Sequence, residues 1–476
     1  MIHIDNFSKQ EPILRLIFAS EDIQKECHCI LPVTFNAEFL QAFPFFSAEH
    51  SKVLLIGLGD SSTFEQCMCK RVLAKGVKLL QEYGFTKFSV DLSPLLARFG
   101  LDCLWDVVEG ISLGLYKPQG YKKMKAGKDC CVRLCGIDEK EILQAEQLLQ
   151  YARNLADSIL VARDFVNTPA NRFTPKDMAD AIQNADAIEG LSVQVYERDE
   201  IAQLGMDAYL TVADSSKSAP QLIVMRYTGN PESDEITALV GKGITCDTGG
   251  YCLKGASSML GIKGDMAGGA AVAGAVWALA KNKVKTNVVG IIPACENRIS
   301  PNSFVPGDVI SSMSGKSIEI VNTDAEGRLL LADAVTFAIK QEKATRICDA
   351  ATLTGAVVNT LGFTTAGVFS NNEALWRRFR KAFQKSGEKY WRLPIFEEHR
   401  KMIQSKIADI KNLGESYCGT IAAAAFVEEF VEKRPWIHLD IAGTAWVDTP
   451  LYEFQSAGAT GAAVTTMYFL CAEMEE

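Results

Sequence analysis

The chain has few histidines, one of the side chains from which protein zinc sites are most often built. Its five histidines are at positions 3, 28, 50, 399 and 438, so that none lies between residues 240 and 330. This excludes an H-E-x-x-H zinc hydrolase in that region, where a metal site must use carboxylates. The 14 cysteines include three close pairs, but none has the C-x-x-C spacing of a zinc or redox site; they are Cys27/Cys29, Cys67/Cys69 and Cys130/Cys131.

The sequence also lacks an excess of positive charge, a membrane-length apolar run and a leader-like start. Its net charge of −9 argues against a surface built for nucleic acid or anionic membrane, although a local basic patch is compatible with it. The longest apolar stretch, Ala267 to Ala280, is too short to cross a bilayer and predicts a buried helix. Residues 1–5 show no signal peptide, and the scattered cysteines are typical of free thiols, so we expect a cytoplasmic protein.

What is present is the composition of a globular protein with a large core. The 476 residues are 48% hydrophobic and 22% charged, and the length indicates more than one domain. From residue 1 to about 135, short β-rich runs alternate with helical ones, with strands predicted at Ile13–Phe18, Val53–Ile56 and Lys87–Val90. The loop Gly57-Leu58-Gly59 resembles part of a dinucleotide-binding loop but lacks the third glycine, so it predicts a turn that ends a strand.

A long helix is predicted over residues 138–165. Asp138 can cap it, with Glu141 in capping-box spacing, and apolar residues follow at helical intervals. We place the domain junction here, which gives an N-terminal domain (1–137), a linker helix (138–168) and a C-terminal catalytic domain (169–476).

Strands and helices alternate after Thr174. This pattern predicts an α/β fold in which a smaller N-terminal α/β domain joins a larger C-terminal one with a mostly parallel central sheet. The predicted strands are 192–196, 221–227, 237–240, 287–293, 318–321, 346–349 and 436–440, and the predicted helices are 176–184, 265–282, 326–341 and 461–472.

The octapeptide N-T-D-A-E-G-R-L, at residues 322–329, joins a predicted strand to a predicted helix. Asp324 and Glu326 are two residues apart, so in extended backbone their side chains point the same way. Two adjacent carboxylates repel each other unless a proton or a cation lies between them. The alternative is that Asp324 caps the helix and Glu326 interacts favourably with the helix dipole.

Two further glycine-rich loops carry charged residues at predicted strand ends. Lys242 and Asp247 lie among glycines after strand 237–240, and Lys254 and Asp265 follow in the next loop. We expect all of these turns to lie at the rim of one sheet. Each residue alone has an ordinary interpretation: Asp265 as a helix cap, and Lys242 and Lys254 as loop or surface lysines.

The motifs together resemble the leucine aminopeptidase (cytosol aminopeptidase) family of dinuclear metallopeptidases, whose signature is this octapeptide. The similarity continues at V-G-K-G (240–243), D-T-G-G (247–250), K-G-D-M (263–266), P-G-D-V (306–309), A-T-L-T-G-A (351–356) and D-I-A-G-T-A-W (440–446). N-T-P-A-N, at 167–171, is similar to the family's junction sequence. Cys246 and Thr248 stand where the family commonly has Phe and Ser, and Gly255 where it commonly has Pro.

The resemblance implies two divalent ions, for which Mn²⁺, Zn²⁺ and Mg²⁺ are all suitable. Asp247 and Glu326 would bridge both ions, and Lys242 and Asp265 would belong to the more loosely held one. The implied ligands are Lys242, Asp247, Asp265, Asp324 and Glu326.

The resemblance also implies the catalytic groups and the substrate. Lys254 would polarise the scissile carbonyl, and Arg328 would hold a bicarbonate that carries the proton. The substrate would be a peptide with a free N-terminus and a Leu- or Met-like first residue, and the enzyme would be a homohexamer. The implied pocket residues are Ile262, Thr352, Leu353, Gly355, Ala442 and Ala445.

Two other functions remain as alternatives to the aminopeptidase. A DNA-binding regulator on the same fold is disfavoured by the acidic balance, although a groove between subunits would not show in sequence. A nucleotide-dependent enzyme would need the phosphate loop that Gly57-Leu58-Gly59 does not complete.

Overall fold

The computed structural model describes residues 1–8, 11–19, 35–45, 52–121, 130–184 and 188–472. The Cys27/Cys29 pair, His28 and His50 lie outside these ranges. The chain divides into two compact units: residues 1–157 with 449–456, and residues 158–448 with 457–476. Among the helices that the structure describes, none is long and apolar enough to cross a membrane.

The first unit is a six-stranded sheet with helices, and its apolar core includes one face of the long helix α4. The strand order is β1-β6-β5-β2-β4-β3, in which only β3 runs antiparallel to its neighbour. Its strands are β1 (Ile2–Ile4), β2 (Ile13–Phe18), β3 (Ala42–Phe45), β4 (Val53–Gly59), β5 (Lys87–Asp91) and β6 (Cys131–Cys135). Its helices are α1 (Cys69–Glu82), α2 (Ser93–Phe99), α3 (Leu104–Leu115) and the first part of α4 (Ile142–Asn167).

The second unit contains a nine-stranded, mostly parallel sheet. The order is β16-β15-β18-β14-β9-β11-β8-β7, with β10 also paired to β11; the antiparallel pairs are β15/β18, β11/β8 and β8/β7. These strands are β7 (Leu191–Tyr196), β8 (Gln221–Thr228), β9 (Thr237–Gly241), β10 (Gly243–Asp247), β11 (Asn287–Asn297), β14 (Arg346–Ala351), β15 (Ala366–Ser370), β16 (Tyr390–Arg392) and β18 (Trp436–Asp440). The predicted α/β class with a mostly parallel sheet is confirmed.

Helices cover this sheet and bury its apolar strands. Leu239, Val240 and Ile291 are fully buried, as expected where helices pack on a parallel sheet. The helices are α5 (Pro175–Gln183), α6 (Arg198–Gln203), α7 (Asp207–Ala213), α8 (Ala267–Lys281), α9 (Gly327–Lys340), α10 (Gly355–Leu361), α11 (Glu373–Ser386), α12 (Glu397–Lys401), α13 (Gly419–Glu428) and α14 (Val464–Cys471).

A separate three-stranded sheet in the second unit corrects one prediction. It consists of β12 (Val309–Ser311), β13 (Ser317–Glu319) and β17 (Ile410–Lys411), in the order β12-β13-β17. The strand before the octapeptide is β13, which belongs to this small sheet and not to the central sheet as predicted, although the turn itself contacts Asn297 at the end of β11 and Lys242 between β9 and β10. The sequence of a short strand does not indicate which sheet it joins, because strand pairing depends on segments far along the chain. A two-stranded sheet of β19 (Trp446–Val447) and β20 (Gly458–Ala459) completes the strands.

The predicted helix starts at Asp138 and Asp265 differ from the structure. The segment after Asp138 starts as a 3-10 turn, Glu139–Glu141, and the α-helix runs from Ile142 to Asn167. Asp138 accepts a hydrogen bond from the backbone of Lys140, and the predicted capping box with Glu141 does not form. Asp265 lies inside a 3-10 turn, Met259–Met266, and not at the cap of α8, whose N-cap is Met266.

Candidate metal centre

Two residues of the site come from the region of β9 and β10, which follow each other along the chain and both pair with β11 of the central sheet. Lys242 separates β9 from β10, and Asp247 is the last residue of β10. Both are about 2% exposed. Lys242 Nζ donates to Asp265 Oδ1 at 2.8 Å, lies 2.9 Å from Glu326 Oε1 and donates to the carbonyl of Thr352 at 3.0 Å. A side chain at the end of a central strand therefore contacts three other segments of the site.

The octapeptide adds two carboxylates from the turn before α9. Glu326 has helical backbone angles (φ −79°, ψ −36°) at the N-cap of α9, so the two acids are not on one face of an extended strand as predicted. Their separation comes from the turn, and they meet different lysines: Glu326 contacts Lys242, whereas Asp324 contacts Lys254. Glu326 is 1% exposed.

Lys254 joins the two sides of the cluster. Its Nζ lies 2.7 Å from Asp247 Oδ2 and also contacts Asp324 Oδ1. Four carboxylates thus surround two ammonium groups in a buried site. The cluster therefore contains two fewer positive than negative groups, even with both lysines charged.

The electrostatics of the carboxylates reflect this imbalance. Burial, with the neighbouring Asp247 carboxylate, raises the pKa of Glu326 to about 7. Burial likewise raises the pKa of Asp265 well above its usual value and raises the pKa of Asp324. Burial and the neighbouring carboxylates thus favour the protonated form of these groups.

The carboxylates favour the charged form of both lysines, whereas burial opposes it. Burial acts to lower the pKa of Lys242, but Asp265, Glu326 and Asp247 outweigh it, so that the pKa lies above the usual lysine value. Burial also acts to lower the pKa of Lys254, but the same carboxylates, together with Asp324, outweigh it, so this pKa is raised as well. Both lysines are therefore ammonium ions in this arrangement, and Lys242 must lose a proton before it can act as a metal ligand.

The oxygens of three carboxylates converge as a metal site requires. Asp247, Asp265 and Glu326 each offer a ligand atom, and these atoms lie within 4.8 Å of one another. Asp265 Oδ2 and Glu326 Oε2 are buried without a hydrogen-bond partner among the described residues. Buried anionic oxygens without a partner are costly, and a divalent cation would satisfy them. The donor set therefore fits divalent metal.

Two residues that sequence reasoning missed, Asn297 and Thr323, form hydrogen bonds that position the segments carrying the proposed ligands. Asn297, at the end of β11 and fully buried, donates through Nδ2 to Asp247 Oδ1 at 2.9 Å and to the carbonyl of Thr323 at 3.0 Å. Thr323 Oγ1 donates to the carbonyl of Gly249 at 2.6 Å. Thr323 lies in the octapeptide, which was the available signal, but Asn297 carries no local pattern that marks it.

Two glycines allow the charged groups to approach. Gly249 has φ +85°, and a Cβ there would lie 2.8 Å from Asp324 Oδ1. A Cβ on Gly327 would lie 2.4 Å from Lys242 Cε. Glycine is thus required at one position by both the left-handed backbone and a close contact, and at the other by the path of the lysine side chain.

Arg328, at the start of α9, is a buried cation without a paired carboxylate. It is 4% exposed, and Nη1 donates to the carbonyl of Asn412 at 2.8 Å. Its Nε is buried and has no partner in the part of the chain that the structure describes. Burial lowers the pKa of Arg328 to about 10, although Glu326 and Asp440 act against it. A small anion would satisfy this guanidinium.

The predicted pocket residues lie on three segments. Thr352 Oγ1 donates to Asp265 Oδ1 at 2.9 Å, which places this residue at the carboxylate cluster. The backbone N–H groups of Leu353 and Ala442 both donate to Asp440 Oδ1, at 3.2 and 3.3 Å, so that one buried aspartate ties their loops together. Sequence reasoning did not assign Asp440 this role.

The remaining pocket residues have different surroundings. Ile262 is half-buried in the 3-10 turn, and Gly355 is exposed, with nothing within 4 Å of an added Cβ. Ala445 is buried and lines a small apolar cavity of about 10 Å³. The assignment of Ile262, Gly355 and Ala445 to a substrate pocket stays a prediction.

Comparisons with known proteins identify the family to which the chain belongs. Residues 160–468 match the cytosol aminopeptidase family, catalytic domain. The chain is 42% identical over 427 residues to the "Probable cytosol aminopeptidase" of Clostridium perfringens (88% of this chain, 85% of that protein) and 38% identical over 439 residues to that of Clostridium tetani (92% and 91%).

Solved structures show the same architecture. A mutant of tomato leucine aminopeptidase superposes with a TM-score of 0.87 at 28% identity, covering 99% of this chain and 96% of the other. The bottromycin maturation enzyme BotP in complex with Mn has a TM-score of 0.87 at 30% identity, with 97% and 99% covered. The chain belongs to the cytosol aminopeptidase family and is a metal-dependent aminopeptidase, a hydrolase.

Proposed function

We propose that this aminopeptidase uses two divalent ions held by Lys242, Asp247, Asp265, Asp324 and Glu326. The observation that carries the proposal is the convergence of carboxylate oxygens of Asp247, Asp265 and Glu326 within 4.8 Å, where Asp265 Oδ2 and Glu326 Oε2 are buried and have no hydrogen-bond partner among the described residues. Mn²⁺ or Zn²⁺ is the proposed metal, with Mg²⁺ as a further candidate, and a solved relative is described in complex with Mn. Ions bound there would acidify a water molecule and offset the carboxylate charge.

Lys254 is the proposed electrophilic group of the reaction. It lies beside Asp247 and Asp324 and is buried enough for its charge to act strongly. Negative charge develops on the scissile carbonyl oxygen as water attacks, and an ammonium group aimed at that oxygen stabilises it. With metals bound to the carboxylates, Lys254 would be released from them to take this position.

Arg328 is the proposed holder of a bicarbonate ion, which would accept a proton from water and return it to the leaving amine. The buried Nε of Arg328, which has no hydrogen-bond partner among the described residues, supports this assignment. No histidine lies between residues 240 and 330, so a base of another kind is needed in this segment.

The proposed substrates are peptides with a free N-terminus and a Leu- or Met-like first residue. The side of the cluster formed by Lys242, Asp265 and Thr352 would receive the free amino group, which limits cleavage to the first peptide bond. Half-buried apolar Leu353 and Ile262 and the open space at Gly355 are compatible with an aliphatic side chain.

A panel of aminoacyl fluorogenic amides tests this proposal. The chelated enzyme should be inactive, added Mn²⁺ should restore hydrolysis, and leucyl and methionyl amides should be cleaved faster than acidic or N-acetylated ones. Hydrolysis that survives chelation, or equal cleavage of N-acetylleucyl amides, would contradict it.

We further propose a cytoplasmic homohexamer. The names of the relatives and the absence of a membrane-length helix among the described residues are compatible with that location. Light scattering on the purified protein is expected to give six times the monomer mass of 52.0 kDa. A mass of one or two chains at micromolar concentration would contradict the assembly and leave the chemistry untouched.

DNA binding is a second candidate, because one helix is locally basic. Helix α11 buries Leu375 and Phe379 and carries the basic residues Arg377, Arg378, Arg380, Lys381 and Lys385. Such a helix could contact phosphates despite the acidic balance of the whole chain. A duplex shifted at low salt and released by the R377E/R380E variant would support this role, and no shift at 50 mM salt would reject it.

A further inference from the structure

Asn412 lies outside the motifs on which the family resemblance depends, yet it contacts the octapeptide at several points. It follows β17 directly and is fully buried. Strand β17 runs parallel to β13, and the backbone N–H of Asn412 donates to the carbonyl of Glu319, the last residue of β13, at 2.9 Å. The pairing of β17 with β13 therefore places Asn412 beside the turn that carries Asp324 and Glu326.

The carboxamide of Asn412 spans that turn. Its Oδ1 accepts hydrogen bonds from the backbone N–H groups of Val321 at 2.8 Å and Asn322 at 3.3 Å. Its Nδ2 donates to the carbonyls of Asn322 at 2.7 Å and Ala325 at 3.3 Å. An asparagine side chain has two donors and two main acceptor sites, so all of them are used. An aspartate has the same shape but no donor.

The backbone carbonyl of Asn412 accepts the hydrogen bond from Arg328 Nη1 at 2.8 Å. One residue thus fixes both ends of the turn that bears two carboxylates and also orients the guanidinium beyond it. The carboxylates repel one another, so that without this support the turn would spread.

We infer that Asn412 is a positioning residue, which holds the octapeptide turn in the geometry that binds metal. The inference rests on the proposed metal centre. Partners that orient ligands from behind change metal affinity without touching the ion. Asn412 acts here through the backbone of the turn and not through a ligand side chain.

Asn412→Asp is the sharpest test, since it keeps the volume and places an oxygen against the carbonyls of Asn322 and Ala325. The matched control is Asn287→Asp in the same unit. Asn287 Nδ2 donates to the carbonyls of Asn230 and Ser233, both at 2.8 Å, and its Oδ1 accepts from Asn230 N, so a comparable set of bonds is lost away from the site.

Mn²⁺ binding to the full-length chelated protein is measured by competition with a chromophoric chelator, with circular dichroism to confirm folding. Asn412→Asp is expected to weaken Mn²⁺ binding by roughly 10–100-fold, and Asn287→Asp by less than about twofold. Excess Mn²⁺ should recover much of the activity of Asn412→Asp, a rescue that a purely structural defect would not show.

Unchanged affinity in Asn412→Asp would overturn the inference, as would equal losses in both variants. Asn412→Ser is made in parallel, and failure of both Asn412 variants to fold would assign the residue to the fold and reject a role at the site. Wild-type protein that takes up no Mn²⁺ would instead reject the proposed metal centre, so the two failures are distinguishable.

Discussion

Both units of the molecule bury a lysine among carboxylates, yet only one of the two clusters suits a metal. In the first unit, Lys70 of α1 lies 2.8 Å from Glu109 and 3.8 Å from Asp106, both on α3. In the second unit, four carboxylates surround Lys242 and Lys254. The ratio of acids to lysines is the same, so the ratio does not mark a site.

The difference lies in how the oxygens are arranged and satisfied. In the first unit, Asp106 Oδ2 accepts a hydrogen bond from Gln66 Nε2 at 2.9 Å, so a neutral amide also stabilises this carboxylate. In the second unit, three acids from separate segments place oxygens within 4.8 Å of one another. Convergence of acids from distant segments, and not burial of an ion pair, distinguishes the candidate metal centre from an internal salt bridge.

The largest effect is expected from Asp324→Ala. It deletes a proposed ligand, so bound metal should fall below the wild-type content and turnover should drop to background. Elemental analysis after gel filtration, beside a leucyl amide assay, measures both. Two equivalents of retained metal would remove Asp324 from the ligand set.

Lys254→Ala separates the two lysines by role. Metal content should stay at the wild-type level while kcat falls by a factor of about 10²–10³, as when one group that stabilises an oxyanion is removed. Steady-state kinetics at saturating Mn²⁺ checks this. Near-normal kcat would mean that Lys254 serves only as a counter-charge, like Lys70 in the first unit.

Gly327→Ala tests whether Lys242 must reach its observed position. The new methyl group would meet Lys242 Cε, which can move, so the fold should persist while Mn²⁺ binding weakens by roughly 10–100-fold. Gly355→Ala is the matched control, because it also changes the first residue of a helix and meets nothing within 4 Å. Equal affinities in the two variants would contradict a ligand role for Lys242.

Lys70→Met should leave catalysis unchanged and alter stability alone. Removing the cation deletes the ion pairs of Lys70 with buried Glu109 and Asp106, with an expected cost of about 3–5 kcal/mol. Urea unfolding followed by circular dichroism measures it. A variant with lowered metal content at wild-type stability would erase the distinction between the two clusters.

The sequence predicted much of the second unit because its signals are local. Buried strands such as Thr237–Gly241 are near-continuous apolar runs, and the octapeptide is contiguous. The family resemblance named the ligands Lys242, Asp247, Asp265, Asp324 and Glu326, and the structure brings them together. The α/β class and the family followed from the same runs and motifs.

What could not be predicted depends on pairing between distant segments. The octapeptide strand pairs with β17, about 90 residues later, and not with a strand of the central sheet. Asn297 and Asn412 contact the turn from distant parts of the chain, and an asparagine in a loop carries no signal of its partners. Short strands such as β1 and β3 were not predicted, because three or four residues give too little periodicity.

The most direct measurement is an anomalous difference map from crystals of the Mn²⁺-loaded enzyme. The account predicts two peaks, roughly 3.5–4 Å apart, enclosed by Asp247, Asp265, Asp324 and Glu326, with Lys242 beside one of them. An empty cluster in crystals of active, Mn²⁺-loaded protein, or peaks bound elsewhere in the chain, would contradict it.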